Sequence, residues 1–294
     1  MKFIFINNII TKNKFQIYLI CILFSNDIMS QNCNNYLPSN VSHVSIVLLM
    51  GQSNMKGRGK IPEKQIENPQ IISMNMTNDK WYPAIHPLHT NGIPDLIDGS
   101  SNAGVGPGLD FAEALLEKDS TALIALIPCA KGGSWIDLWM PGADLYKEAL
   151  RRTTKALVDF PKNIKVNVIA ALWLQGESDS KGNRYKMYEA KLKKIVENIR
   201  LDLSLPNLPF ISATIGAFME NISQDYPQYK SINKILLNAN NAIDNYRCVH
   251  TKDFGVDIGD NMHYDTASQQ EIGNRYAKMY FDIINTKPCL IKNK

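Results

Sequence analysis

The stretch that decides the fold runs from Val44 to Asn54 and reads VSIVLLMGQSN. Its first seven residues are almost continuously apolar, which predicts a strand buried on both faces, as in a parallel sheet. Gly51 ends the run, and polar residues follow it at once. Similar apolar runs predict four more strands: Ile71–Met76, Leu123–Pro128, Val166–Leu174 and Pro209–Ile215.

Segments with helical periodicity lie between these runs. In Pro107–Lys118, the apolar residues Leu109, Ala112 and Leu116 fall on one side of a helix, and proline suits its first turn. Asp265 or Thr266 is suited to cap the last helix. Strands that alternate with helices predict a three-layer α/β/α sandwich around a five-stranded parallel sheet. The other predicted helices are Leu145–Val158, Tyr185–Leu203, Lys230–Asp244 and Ser268–Asn285.

The bulk composition favours a single globular domain over residues 31–294. Of the 294 residues, 45% are hydrophobic and 20% charged, which is enough for a large core. No repeat or linker divides the chain. Trp81–Gly104 is long, irregular and rich in Pro, Gly and His, and we expect a surface excursion near the site there.

The N-terminus has the pattern of a secretory signal. Lys12 and Lys14 precede the apolar run Phe15–Phe24, and polar residues follow. The run is shorter than the roughly 20 apolar residues that span a bilayer. The sequence therefore predicts a signal peptide over residues 1–30 and a secreted or periplasmic mature protein without stable membrane insertion. An uncleaved membrane anchor is the alternative.

Charge and cysteine content exclude some classes and leave others open. The net charge is only +4, and no basic stripe with interleaved aromatics is present, which argues against nucleic-acid binding. Beyond the predicted signal, Cys33, Cys129, Cys248 and Cys289 could form disulfides in an exported chain or remain free, and their spacing does not choose. No set of metal ligands can be assembled. The oligomeric state does not follow from the sequence.

Four distinctive motifs follow predicted strands or precede the last helix. Because the carboxyl ends of parallel strands meet at one edge of a sheet, we expect these motifs to converge on a site there. The motifs are Gly51–Met55, Cys129–Trp135, Trp173–Asp179 and Asp260–His263.

Ser53 is the candidate nucleophile. Just beyond a buried strand, its hydroxyl and its backbone N–H can both face the crevice, although such a serine can also be only a turn or helix-cap residue. The pattern is not the Gly-x-Ser-x-Gly elbow of α/β-hydrolases, because Met55 replaces the second glycine. A serine needs a base, and the base needs orienting; His263, three residues after Asp260, can fill that role. None of the other four histidines has this arrangement: His43, His86, His89 and His250.

Together these motifs resemble the SGNH hydrolase superfamily. Within it they are similar to the sialate O-acetylesterase-like domain of carbohydrate esterase family six, which includes acetylxylan esterases. The resemblance covers residues 44 to about 282, in the order of the family. The matching residues are Gly51–Met55, Gly106–Gly108, Lys131–Ser134, Trp173–Asp179 and Asp260-x-x-His263.

The resemblance implies a flavodoxin-like α/β/α fold and a serine esterase that removes O-acetyl groups from carbohydrate. It implies Ser53 as nucleophile, His263 as general base and then acid, and Asp260 as the residue that orients the histidine. It also implies an oxyanion hole made of the N–H groups of Ser53 and Gly106 and the amide of Gln175. No cofactor is expected, and the expected partner is an acetylated carbohydrate. We expect further residues to line the site: Gln52, Asn54, Lys131, Gly132, Gly133 and Glu177.

Some of these residues have a second interpretation. Glu177 and Asp179 could be paired carboxylates for acid–base work on a glycosidic bond, although a structural role is favoured. Trp135 and Trp139, four residues apart, could form a sugar platform or simply pack. Two other functions also remain open: a carbohydrate-binding protein without hydrolysis, and a lipid or thioester hydrolase of the same superfamily. The sequence does not choose among acetylated xylan, sialic acid and other glycans.

Overall fold

A computed structural model of the protein describes residues 37–89, 102–254 and 256–286. Within this part of the chain there is one sheet of seven strands, in the order β3-β2-β4-β1-β5-β6-β7. All neighbours pair in parallel except β3, which is antiparallel to β2. The strands are β1 His43–Gly51, β2 Ile71–Met74, β3 Trp81–Pro83, β4 Ala122–Pro128, β5 Lys165–Leu174, β6 Phe210–Ala213 and β7 Tyr246–Val249.

The predicted α/β/α class is confirmed, but the predicted count of five strands is wrong. The five predicted strands are all present, and two short ones were missed at the edges of the sheet. The edge strand β7 has only four residues and includes Arg247, so it lacks a continuous apolar run. The edge strand β3 has only three residues and ends in Pro83, a residue that usually argues against a strand.

The segment that begins with β3 is also more buried than its composition predicts. Trp81 is buried, its ring lies 5.5 Å from the ring of Phe160, and its Nε1 donates to Asp159 Oδ2 at 3.0 Å. His86 and His89 are buried as well. The prediction of a surface excursion over Trp81–Gly104 is therefore wrong for the buried residues among 81–89, while Tyr82 and Ile85 are exposed. Residues 90–101 lie outside the described part.

The helices form two groups. α2 packs against α6, while the 3-10 turn Ile136–Trp139 contacts both α3 and α4, and α4 contacts α5. As predicted, Asp265 caps α6: its Oδ1 accepts from the N–H of Ser268 at 2.9 Å. The helices are α1 Ser53–Lys56, α2 Gly108–Leu116, α3 Asp144–Ala156, α4 Tyr188–Asp202, α5 Tyr229–Asn238 and α6 Thr266–Asn285.

The central strand β1 positions the motifs found in the sequence. From Val44 onward it is buried throughout, and it pairs with β4 on one side and β5 on the other. The register sets Leu49 opposite Pro128 and Gly51 opposite Leu174, so the carboxyl ends of all three strands lie together. The motifs that follow these strands therefore start from one edge of the sheet.

Some features predicted from the sequence fall outside the described residues. These are the signal over residues 1–30, Cys33 and Cys289. Cys129 and Cys248 are described, and both are free thiols. Among the described helices, none combines the length and the apolar character needed to cross a membrane.

Gly51 is required at the end of β1 for two reasons. Its φ is +136°, a conformation that residues with a side chain rarely adopt. A Cβ there would also lie 2.2 Å from the carbonyl oxygen of Leu174. Only glycine lets β1 stay paired with β5 while the chain turns into the serine motif.

We predict that Gly51→Ala destabilises the fold far more than Gly142→Ala. Gly142 also has a positive φ, +89°, but a Cβ there meets nothing within 4 Å. Gly142→Ala should therefore cost only backbone strain, about 1–2 kcal/mol. Gly51→Ala adds a backbone clash and should cost roughly 3 kcal/mol or more. Urea denaturation of both variants measures the difference; equal losses would contradict this account of Gly51.

Candidate active site

Ser53, His263 and Asp260 form one hydrogen-bonded chain at the carboxyl edge of the sheet. Ser53 is the first residue of α1, and only Gln52 separates it from the end of β1. Its Oγ lies 2.8 Å from Nε2 of His263, and Nδ1 of His263 lies 2.6 Å from Oδ2 of Asp260. The two residues that are 210 positions apart in the sequence are thus in direct contact.

The second oxygen of Asp260 shapes the loop that carries the histidine. Oδ1 accepts from the backbone N–H groups of Met262 and His263, each at 2.9 Å. Partial burial raises the pKa of Asp260, but the hydrogen bonds from the His263 side chain and from these two N–H groups outweigh it and hold the pKa below its ordinary value. Asp260 therefore stays ionised beside the imidazole.

The His263 ring is set to accept a proton. Burial disfavours the imidazolium and lowers the pKa of His263, an effect that the Asp260 carboxylate opposes without cancelling. The ring is therefore neutral near pH 7. With Asp260 on Nδ1, the free lone pair of Nε2 faces the serine hydroxyl, which is the geometry of a general base.

Two backbone N–H groups are available beside Ser53. In the described part of the chain, neither the N–H of Ser53 nor that of Gly106 has an acceptor. Gly106 lies against α1, since a Cβ on it would be 2.9 Å from the carbonyl oxygen of Met55. Two such donors close to a nucleophile suit a negatively charged oxygen.

Gln175 is placed differently from these two donors. It is fully buried, and its Nε2 donates to Asp179 Oδ2 at 2.6 Å and to the carbonyl oxygen of Ser134 at 3.0 Å. Its Oε1 accepts from the hydroxyl of Tyr188 at 2.8 Å. Because protein acceptors take both amide hydrogens, the structure brings Gln175 beneath the site and not to the position of an oxyanion donor.

The other predicted site residues lie in the turns that follow β1, β4 and β5. The Oε1 of Gln52 lies 3.3 Å from Nε2 of Gln175. The N–H of Lys131 donates to the carbonyl oxygen of Gly51 at 3.1 Å, and Gly132 follows it in the same turn. The carbonyl oxygen of Gly133 accepts from Ser178 Oγ at 3.0 Å. The loops after β4 and β5 are thereby tied to each other and to the end of β1.

Glu177 and Asp179 are buried supports and do not flank an open space. Oε1 of Glu177 accepts from Nδ2 of Asn54 at 2.5 Å, and Oδ2 of Asp179 accepts from the N–H of Ile136 at 2.8 Å. Burial raises the pKa of both carboxyls, that of Glu177 to about 7. This geometry agrees with the structural interpretation and gives no support to a glycosidase pair.

The two tryptophans have different environments. Trp139 is buried, with its ring edge-on to Trp173 at 5.5 Å. Trp135 is 38% exposed, and the guanidinium of Arg184 lies 4.8 Å from its ring centre. The pair therefore forms no shared platform, since only Trp135 reaches the surface.

The sequence did not reveal two helix residues whose side chains bind residues of the site. Tyr188 binds Gln175 from α4, and Gln269 binds the backbone oxygen of Asn54 from α6 at 3.0 Å. Both lie on helices, at positions that read as ordinary members of an amphipathic pattern. Only the packing of these helices against the strand ends identifies them.

An α/β/α sandwich with a serine just after its central strand, and a histidine just before the last helix, has the arrangement expected of an SGNH-type hydrolase. The family described as SASA, carbohydrate esterase, sialic acid-specific acetylesterase, matches residues 43–282. The chain belongs to this family. It is a carboxylic ester hydrolase of the carbohydrate acetylesterase type.

Known relatives agree with this assignment. A probable carbohydrate esterase of Arabidopsis thaliana is 31% identical over 257 residues, 80% of this chain and 89% of the relative. A solved structure of an Arabidopsis thaliana protein superimposes with a TM-score of 0.69 at 30% identity, over 81% of this chain and 98% of that one. A probable 9-O-acetyl-N-acetylneuraminic acid deacetylase of Escherichia coli (strain K12) is 28% identical over 137 residues, 40% of this chain and 39% of the relative.

We predict that Glu177→Gln changes how stability depends on pH. Burial raises the pKa of Glu177 from 4.5 to about 7, so the folded state favours the protonated form. That stabilisation is present at low pH and is lost as the pH rises through about 7. The melting temperature of Glu177→Gln, relative to wild type, should therefore rise between about pH 4.5 and about pH 7 and level off at higher pH.

Thermal denaturation across this range measures the effect. Glu189→Gln, at an exposed position in the first turn of α4, is the matched control and should show a constant difference from wild type. A constant difference for Glu177→Gln as well would show that Glu177 does not titrate in this way.

Proposed function

We propose that the protein removes O-acetyl groups from carbohydrate through an acetyl-enzyme formed on Ser53. The observation that carries this proposal is the continuous chain of hydrogen bonds from Ser53 Oγ through His263 to Asp260. Nucleophile, base and orienting carboxylate are the three elements that serine-based acyl transfer requires. Membership of a family of carbohydrate acetylesterases supports acetyl as the acyl group and carbohydrate as the class of substrate.

In the first half of the reaction, Ser53 Oγ attacks the acetyl carbonyl carbon while Nε2 of His263 accepts the hydroxyl proton. The negative charge that develops on the carbonyl oxygen is stabilised by the N–H groups of Ser53 and Gly106. Each such donor typically contributes roughly 10²–10³ in rate. The C–O bond to the sugar then breaks, and His263 returns the proton to the leaving sugar oxygen.

In the second half, water repeats the sequence. His263 accepts a proton from the water as it attacks the acetyl group on Ser53, and the same two N–H groups again stabilise the oxyanion. Breakage of the bond to Ser53 Oγ releases acetate, and His263 returns the proton to the serine. Asp260 stays ionised throughout and keeps the lone pair of Nε2 directed at Ser53.

The sugar that carries the acetyl group is a matter for direct assay. The Escherichia coli relative is named for 9-O-acetyl-N-acetylneuraminic acid, and the Arabidopsis thaliana relative only as a carbohydrate esterase. We therefore propose the shared chemistry, an acetyl ester on a sugar hydroxyl, as the substrate. Acetate release from O-acetylated sialic acid and from acetylxylan, compared at equal ester concentration, separates the two main candidates.

We predict that Ser53→Ala lowers kcat for an aryl acetate by roughly 10⁴-fold or more, because the nucleophile is gone. Ser42→Ala is the matched control, since Ser42 lies just before the opposite end of β1 and its hydroxyl contacts Thr121. That variant should keep wild-type activity. Release of the aryl alcohol, followed spectroscopically, measures both.

Three outcomes would contradict the proposal. Undiminished turnover by Ser53→Ala would exclude this serine as nucleophile. Glycan binding without acetate release from any acetylated sugar would indicate a non-catalytic binding protein. A clear preference for long acyl chains over acetate would indicate a lipid hydrolase.

We also predict that activity persists below pH 6.5. Loss of activity in acid follows protonation of His263, which then cannot accept the serine proton. Because burial lowers the pKa of His263 from 6.5, the acid limb of kcat/KM should have its midpoint below 6.5. A pH–rate profile with an aryl acetate measures it, and His250→Gln, at an exposed histidine, should leave it unchanged. A midpoint at or above pH 6.5 would contradict the environment described for His263.

A further inference from the structure

The proposed reaction depends on how the loop that carries His263 is held against the turn that carries Ser53. His263 lies between β7 and α6, and the Asp260 side chain beside it is 41% exposed. The hydrogen bonds that the Asp260 carboxylate accepts from Met262 and His263 lie within the loop. They therefore determine the shape of the loop but do not attach the loop to the sheet.

Tyr264 ties the end of the loop to neighbouring segments, since its hydroxyl donates to the carbonyl oxygen of Thr214 at 3.0 Å and lies 2.7 Å from Oγ1 of Thr251. A contact with the Ser53 turn itself is needed as well, to hold His263 Nε2 at 2.8 Å from Ser53 Oγ.

The carboxamide of Asn54 supplies that contact. Its Nδ2 donates to the carbonyl oxygen of Met262 at 3.1 Å, and its Oδ1 accepts from the N–H of Tyr264 at 3.1 Å. Met262 and Tyr264 are the two neighbours of His263. Asn54 is fully buried and directly follows Ser53. One side chain next to the nucleophile therefore binds the chain on both sides of the base.

Glu177 determines which way this carboxamide points. The second hydrogen on Nδ2 of Asn54 goes to Oε1 of Glu177, at 2.5 Å. If the amide were flipped, its oxygen would face the Glu177 carboxyl and the Met262 carbonyl, and its NH₂ would face the Tyr264 N–H. Acceptors would then oppose acceptors and donors would oppose donors, so only the observed orientation satisfies all three partners.

We propose that Asn54 and Glu177 are a positioning pair that holds the His263 loop in register with Ser53. Asn54 binds the backbone of the loop on both sides of His263, and Glu177, in the loop after β5, orients the Asn54 carboxamide. Glu177 acts here as a hydrogen-bond acceptor. It does not contact His263, whose carboxylate partner is Asp260, so its negative charge is not required. This inference rests on the function proposed above.

The first test is Asn54→Ala, assayed with an aryl acetate. Loss of the hydrogen bonds from Asn54 to the loop lets His263 move relative to Ser53, and a misplacement of about 1 Å can cost on the order of 10²-fold in rate. We expect kcat to fall by about that factor while KM changes by less than roughly threefold, because the substrate contacts remain. A contribution to folding alone would lower the melting temperature and leave kcat of the folded enzyme unchanged.

Gln70→Ala is the matched control. The Nε2 of Gln70 also donates to backbone carbonyl groups, those of Ser120 and Ala122, each at 2.8 Å, but beside the amino end of β4. This variant also loses carboxamide-to-backbone hydrogen bonds, and its kcat should stay at the wild-type value.

The second test compares two substitutions of Glu177. Glu177→Gln keeps an acceptor for Asn54 and should retain kcat within about fivefold, whereas Glu177→Ala should fall about as far as Asn54→Ala. Because the two residues act as one unit, Asn54→Ala/Glu177→Ala should lose little more than either single variant. If the alanine variants fail to fold, Glu177→Gln alone decides, since retained activity supports an acceptor role and lost activity overturns it.

The outcomes separate this inference from the proposed function. If wild type releases acetate and Ser53→Ala does not, the function holds. Asn54→Ala with more than half of the wild-type kcat would then overturn the positioning pair. Glu177→Gln as inactive as Asp260→Ala would show that the charge of Glu177 is required. If wild type releases no acetate from any ester, the proposed function itself fails.

Discussion

The pairing of β1 with β4 on one side and β5 on the other is the constraint on which the site depends. It brings the carboxyl ends of three strands together and sets Gly51 opposite Leu174. The turn that follows has room for no side chain at Gly51, because Leu174 occupies the space. Ser53 thereby lies at the carboxyl edge of the sheet, with its Oγ 2.8 Å from Nε2 of His263.

The contacts that form the site join residues at very different separations along the sequence. Asp260 and His263 form a local unit, because the three hydrogen bonds between the Asp260 carboxylate and the groups of Met262 and His263 lie within four consecutive residues. The contact between His263 and Ser53 spans 210 positions and has no local cause. Contacts of such range need their own support, and the bonds from Asn54 to the chain on both sides of His263 supply it.

Two buried carboxyls lie under the reactive edge and are used for structure. Glu177 orients Asn54, and Asp179 receives the Gln175 amide and a backbone N–H. Burial raises the pKa of both, which is a common sign of acid–base catalysis. Here the neighbours show a different use: each carboxyl accepts hydrogen bonds from groups that would otherwise be buried without a partner.

The sequence by itself determined the fold class, the five inner strands of the sheet and the site motifs that follow them. Continuous apolar runs identify buried strands, and polar motifs directly after them identify the edge where those strands end. It could not reveal the edge strands β3 and β7, because Arg247 interrupts the apolar run of β7 and the three-residue β3 ends in Pro83. The family resemblance implied Gln175 as an oxyanion donor, whereas in the tertiary structure its amide nitrogen donates to Ser134 and Asp179. The orientation of the Gln175 amide and the hydrogen bonds from Asn54 to the His263 loop both depend on partners far away in sequence. Only the folded chain brings those partners into contact.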